Sequence, residues 1–114
     1  DIIKETPENI VQRQVNAYNL KNYEAFFENF SDDIEVYIFP NTLETKGIEA
    51  YKKKFEGMFE KAPEIHCEIL NRTTRLNTVI DHERVTFREG VSSEVIVIYK
   101  IENGKIAKVY FVRD

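Results

Sequence analysis

From residue 64 onward the chain reads as strand after strand, and this run constrains the fold more than any other feature. Three long strands are expected at about 64–75, 78–88 and 93–102, with a last one over 105–113. Asn103-Gly104 joins the last two as a type I′ hairpin turn, because both central positions tolerate positive φ. Strands that follow one another through tight turns lie antiparallel in one sheet. What precedes them must cover one face of that sheet.

The first part of the chain supplies the cover. Thr6 is a suitable helix cap, Pro7 fits the first helical position and Glu8 sits favourably in the first turn. Ile10, Val11, Val15 and Tyr18 then recur at helical spacing, with the polar Gln14 inside the stripe. Asn22 can cap a second short helix whose Tyr23, Phe26, Phe27 and Phe30 follow i, i+3, i+4, i+7, and Ser31-Asp32-Asp33 breaks it. Residues 34–39 alternate as a strand ended by Pro40-Asn41. A third helix begins near Gly47, buries Ile48, Tyr51, Phe55, Met58 and Phe59, and stops at Pro63. The expected fold is therefore α+β: a long curved antiparallel sheet wrapped around three helices, forming a cone with an internal pocket. A chain of 114 residues with no linker or repeat is one domain, 1–114.

Composition narrows the function. The net charge is −4 and no basic stretch is interleaved with exposed aromatics, which argues against nucleic acid. Lys52-Lys53-Lys54 reads as a solvated helix face. No apolar run is long enough for a membrane span. Asp1-Ile2-Ile3-Lys4-Glu5 lacks a secretory pattern, and Cys67 stands alone, so a reducing, cytoplasmic setting is expected and the sequon Asn71-Arg72-Thr73 is treated as chance. Two His and one Cys do not make a classical zinc site, and no cofactor motif is present. Eight Phe and six Tyr, by contrast, are enough to build a core and still line a pocket.

Several segments carry a family likeness: Ile10-Val11-Gln12-Arg13, Phe30-Ser31-Asp32-Asp33-Ile34-Glu35-Val36, Leu70-Asn71-Arg72, Val79-Ile80-Asp81-His82-Glu83-Arg84-Val85 and Asn103-Gly104-Lys105-Ile106. Over nearly its whole length the chain resembles nuclear transport factor 2-like domains. Within these it resembles the SnoaL-like branch, which includes polyketide cyclases and relatives of ketosteroid isomerase. The resemblance implies the cone fold and a small-molecule pocket. It also implies catalytic positions, which here hold other residues. The oxyanion-donating Tyr of the first helix falls at Gln14, the general-base Asp of the first strand at Ile38 or Phe39, and the second oxyanion-donating Asp near Val97. Ile and Val cannot move a proton, so the standard isomerase mechanism is not expected. A likeness to limonene-epoxide hydrolases points to Arg84, where the Asp expected two residues on is Thr86.

Among titratable residues, His82 and Arg84 share one face of their strand with Ile80, while Asp81 and Glu83 point to the other. If the His82 face lines the pocket, Arg84 would keep the imidazole neutral and His82 could serve as base, with Arg84 stabilising an anion. Alternatively that face meets solvent or a subunit partner. The hairpin after residue 75 leaves two registers open: a three-residue loop sets Glu68 opposite Arg84, and a two-residue loop sets Arg72 opposite Asp81. His66 and Glu68 share a face, and Cys67 has no basic neighbour to activate it. Tyr18, Tyr51 and Tyr99 lie on inward stripes, whereas Tyr37 faces outward.

The leading expectation is a pocket for a small, largely apolar, steroid- or polyketide-like molecule. Gln14, Tyr18, Ile38, Phe55, Phe59, Val97, Tyr99 and Phe111 would form its lining, alongside Ile34, Val36 and Val109. Any reaction would be a proton transfer or cyclisation using His82 and Arg84. The alternative is a non-catalytic ligand-binding or homodimeric assembly domain.

Overall fold

A computed structural model of the chain describes residues 5–113. Residues 1–4, where the sequence shows no secretory pattern, and residue 114 lie outside that range. The elements are α1 (Pro7–Asn19), α2 (Tyr23–Phe27), β1 (Phe30–Ile38), β2 (Thr42–Lys46), α3 (Ile48–Lys61), β3 (His66–Arg75), β4 (Thr78–Arg88), β5 (Val91–Glu102) and β6 (Lys105–Val112). They build one six-stranded sheet in the order β2-β1-β6-β5-β4-β3, with the helices packed over one face. The α+β architecture is as expected. No helix among the described residues is long and apolar enough to cross a membrane.

Local chemistry accounts for the element boundaries. Asn9 N–H donates to the Thr6 hydroxyl (3.2 Å) at the start of α1, and Ala25 N–H donates to the Asn22 side chain (3.2 Å) at the start of α2. Gly47 opens α3 with φ +91°, a conformation open to glycine, while its N–H donates to the Ile34 carbonyl (2.7 Å). Asn103 and Gly104 both have positive φ, giving the expected hairpin turn.

The sheet departs from expectation in three places. It is mixed rather than wholly antiparallel, because β1 runs parallel to β6 with Val36 beside Val109 and Tyr37 beside Tyr110. Strand β2, short and exposed, returns antiparallel to β1 and follows no clear apolar alternation. Phe30 belongs to β1 rather than to α2, and the Ser31-Asp32-Asp33 run is where the β1–β6 register is irregular. The turn-forming residues thus interrupt pairing without ending the strand.

Both registers considered for the β3–β4 hairpin occur together. Near the turn, Arg75 faces Thr78 and Arg72 faces Asp81; beyond a bulge at Leu70, Glu68 faces Arg84. One extra residue shifts the count by one and lets each half of the hairpin keep its own pairs.

The core lies between the sheet and the helices. Ile10, Val11, Ile34, Val36, Val79, Val97, Ile106 and Val109 are essentially inaccessible to solvent. Phe26 joins them to an aromatic cluster, with ring centroids 5.1 Å from each of Phe27, Phe30 and Phe55. Asn29, only 1% exposed, is the polar junction of this core. Its amide donates to the Ala25 and Phe26 carbonyls (2.9 and 3.2 Å), its side-chain oxygen accepts from Arg13 Nε (2.7 Å), and its backbone carbonyl accepts from Ile106 N–H (2.8 Å). Replacing Asn29 with Ala removes its three side-chain hydrogen bonds, to Arg13, Ala25 and Phe26, and leaves the backbone bond to Ile106 in place. Such a change is expected to cost about 1–3 kcal/mol in urea unfolding. A loss below about 0.5 kcal/mol, the range of ordinary surface changes, would contradict this junction role.

Candidate functional site

Strand β4 decides what faces the cavity. Val79, Asp81 and Glu83 are buried on its inner side, with Val85 continuing that row. Ile80, His82 and Arg84 occupy the outer side. There His82 Nε2 lies 2.7 Å from Glu94 Oε1, and Arg84 donates to Glu68 (3.1 Å) and lies 3.8 Å from Glu94. His82 and Arg84 are each 42% exposed in their side chains and do not border the cavity. The acid–base pair expected of them inside the cone is therefore corrected by strand parity. They belong to a cross-strand charge ladder on the opposite face.

A cavity of about 410 Å³ lies between the inner face of the sheet and helices α1 and α3. Of the residues expected in its wall, Gln14, Tyr18, Phe55, Tyr99 and Phe111 are there, as are Val36 and Val109. Ile38, Phe59 and Val97 are not. Val97 lies within the sheet between Asp81 and Phe111, 1% exposed. Phe59 is used up in stacking on Tyr23 (3.8 Å) and Phe55 (5.3 Å). Ile38 sits at the end of β1, paired with Phe111 on one side and Thr42 on the other. Ile34 is likewise core rather than wall. Tyr37 packs on Tyr110 on the outer face, as its parity predicts.

The polar centre of the cavity is Glu83, a residue not among those expected in its wall. Its Oε2 accepts from the Tyr99 hydroxyl (3.0 Å) and its Oε1 from the Cys67 thiol (3.4 Å). Gln14 Nε2 in turn donates to the Tyr99 oxygen (3.2 Å). Gln14 is thus a donor near the place the resemblance implied, but its partner in the structure is a tyrosine.

Two residues away, Asp81 is completely buried and closed off by Arg72. Arg72 Nε and Nη2 donate to its two oxygens (2.6 and 2.9 Å), and Arg72 Nη1 donates to Gln12 Oε1 (2.8 Å). The only guanidinium near these carboxylates among the described residues is thereby committed to Asp81. Among the described residues, Glu83 has hydrogen bonds but no ion pair. Burial pushes its carboxyl up to about 7; the Tyr99 and Cys67 hydrogen bonds pull it down, Asp81 adds to the rise, and Arg72 opposes it. Burial, then the charge of Glu83, holds the Cys67 thiol well above its ordinary value, so it stays protonated and acts as a donor.

Tyr18 and Tyr51 also border the cavity, and among the described residues their hydroxyls lack the side-chain hydrogen bonds that tie down Tyr99 and Tyr37. Burial is the main cause that raises both phenols well above their ordinary range, and Glu83 adds to it. Both hydroxyls are therefore protonated donors at neutral pH. Apolar walls from Phe26, Phe55, Ile65, Val85, Val95 and Phe111 complete the chamber. Among the described residues, no three His, Cys, Asp or Glu side chains converge as a metal-ligand set.

The fold recurs in known structures. A cystatin-fold protein from Novosphingobium aromaticivorans superposes with a TM-score of 0.87 at 20% identity, covering 96% of this chain and 100% of that one. A proposed polyketide cyclase from Sinorhizobium meliloti gives 0.76 at 18% identity, covering 94% and 99%. A proposed ketosteroid isomerase from Kribbella flavida gives 0.79 at 10% identity, covering 93% and 76%. At these identities the likeness is one of fold. No curated protein sequence matches the chain. The SnoaL-like domain model matches residues 11–109, from within α1 through α3 and the strands that carry Glu83 and Tyr99, and the chain belongs to that family.

Proposed function

We propose that the chain takes a small, largely apolar carbonyl compound into the cavity and that Glu83 moves a proton on it, in an isomerisation or cyclisation. The observation that carries this reading is a buried carboxyl group, held by neutral donors and with no ion pair among the described residues, in an apolar chamber that also holds tyrosine donors. The names given to the cyclase and isomerase neighbours are consistent with such chemistry.

The steps follow from the groups present. The ionised Glu83 takes a proton from the carbon next to the carbonyl, and the C–H electron pair moves into an enolate. Each carboxylate oxygen has lone-pair capacity beyond the hydrogen bond it already accepts. The hydroxyls of Tyr18 and Tyr51 supply donors for the enolate oxygen, a stabilisation that gains strength where water is excluded. Glu83, now protonated, returns its proton to another carbon in an isomerisation. In a cyclisation the enolate carbon attacks a second carbonyl, and Glu83 protonates the resulting alkoxide. A group with a pKa near the working pH serves both directions well.

The same ionisation carries a stability signature. The folded pKa of Glu83, about 7, lies above its ordinary value of 4.5. Its contribution is therefore fully present below pH 4.5 and is lost as pH rises through 7. Wild type is expected to lose up to about 3 kcal/mol relative to Glu83→Gln across that window, at about 1.4 kcal/mol per pKa unit. Urea unfolding of both proteins at several pH values measures it, and parallel profiles would refute a raised Glu83.

Turnover is tested with a panel of β,γ-unsaturated ketosteroids and aromatic polyketide analogues. Glu83→Gln is expected to lower kcat by about 100-fold or more, the usual worth of a general base, while an uncharged naphthylamine probe still binds. The wild-type rate is expected to rise with pH to a plateau, with its inflection near 7. His82→Ala, on the outer face, is expected to keep its rate. Equal rates in Glu83→Gln and wild type would exclude Glu83 as the base. Probe binding with no turnover across the panel would favour the non-catalytic ligand-binding reading.

A further inference from the structure

The mouth of the cavity holds a charge arrangement that proton transfer by Glu83 does not require. Glu44, Lys54 and Arg113 all border the cavity. Lys54 Nζ lies 2.8 Å from Glu44 Oε1, and Arg113 Nη2 donates to Glu44 Oε2 at 3.0 Å. The two cations are about half-exposed, whereas the Glu44 side chain is 29% exposed. One carboxylate thus faces two cations, one on α3 and one on the residue that follows β6.

The backbone is built to put Glu44 there. In the β1–β2 ladder Val36 pairs with Thr45 and Tyr37 pairs with Leu43, so Glu44 is the extra residue of a bulge. A bulge breaks alternation and re-aims one side chain. Here Thr45 is buried, Leu43 is half-exposed, and Glu44 reaches the cavity mouth. The remaining charge bordering the mouth, Glu94, is already engaged by His82 and Arg84. Among the described residues, the Glu44 cluster sets two cations against one carboxylate beside an apolar chamber.

We propose that Lys54 and Arg113 read an anionic group on the bound compound, so that the ligand is an amphipathic organic acid. Its apolar body fills the cavity and its one carboxylate or similar anion sits at the mouth, where it competes with Glu44 for the two cations. This names the ligand class for the pocket reading and rests on that reading. Glu44 keeps the cations oriented toward the mouth when no ligand is present and weakens binding by its own negative charge.

The test compares anilinonaphthalene sulfonate with its uncharged parent, phenylnaphthylamine, by fluorescence titration. The two share an aromatic body and differ by one anionic group. Wild type is expected to prefer the sulfonate, and added salt is expected to narrow the preference. Lys54→Gln and Arg113→Gln should each reduce the ratio of the two affinities by about threefold, the scale of a half-exposed ion pair. Glu44→Gln should raise the ratio by a similar factor, a change of opposite sign that general loosening of the fold would not produce. An unchanged ratio in all three variants, with both probes binding, overturns the anion-reading mouth while leaving the pocket intact. Binding of neither probe removes the small-molecule pocket and this proposal together.

Discussion

The inner row of β4 places two carboxyl groups, Asp81 and Glu83, on a face that otherwise carries apolar side chains, Val79, Val85 and Phe87. Burying either as an anion is costly, and one arginine is at hand. Arg72 closes on Asp81 with two hydrogen bonds, and its third contact goes to Gln12 on α1. That choice fixes the rest. Asp81 becomes a structural anion tying the sheet to α1, and Glu83 is left with neutral donors alone. A buried carboxyl without a cation responds by holding its proton more tightly. The asymmetry between two like residues in one strand is the basis of the chemistry proposed for the site.

The bulge at Leu70 makes this possible. Without it, one register would run the length of the β3–β4 hairpin. Either Arg72 would face Asp81 or Glu68 would face Arg84, but not both. With it, the inner salt bridge and the outer charge ladder coexist. The outer ladder in turn neutralises Arg84 and Glu94 at the surface. A second bulge, at Glu44, does comparable work on the far edge of the sheet. In both places an irregularity of one residue sets which charges meet.

Much of this was legible in the sequence, and its limits have physical causes. Helix caps at Thr6 and Asn22, the Asn103-Gly104 turn and the inward stripes of Tyr18, Tyr51 and Tyr99 depend on local rules, and local rules held. The parallel pairing of β1 with β6 joins segments some seventy residues apart, which no local pattern encodes. Strand β2 is an exposed edge, so selection for burial left little alternation to read. Glu83 is legible in the row Val79, Asp81, Glu83, Val85, where carboxylates interrupt an apolar face, the same signal that Gln14 gives in α1. Histidine is the residue type most often suited to acid–base work, but parity sets His82 opposite those carboxylates.

The residues at Gln14, Ile38 and Val97 set aside one way of doing proton chemistry in this fold, but the requirement behind that chemistry is more general. A base needs a carboxyl whose pKa lies near the working pH, held in a chamber from which water can be displaced. An apolar cavity raises the pKa of any carboxyl that lacks a cation, whichever strand carries it. Moving the carboxyl from the end of β1 to the middle of β4 changes the direction from which it approaches a bound molecule. It leaves intact the conditions that make it reactive. The donors move with it: Tyr18 and Tyr51 face the same chamber from α1 and α3, where the aromatic cluster around Phe26 holds them in place. On the proposed reading, a cone of this shape exchanges its catalytic positions and retains its capacity for acid–base work, provided that one buried acid on the inner face is left without an ion pair.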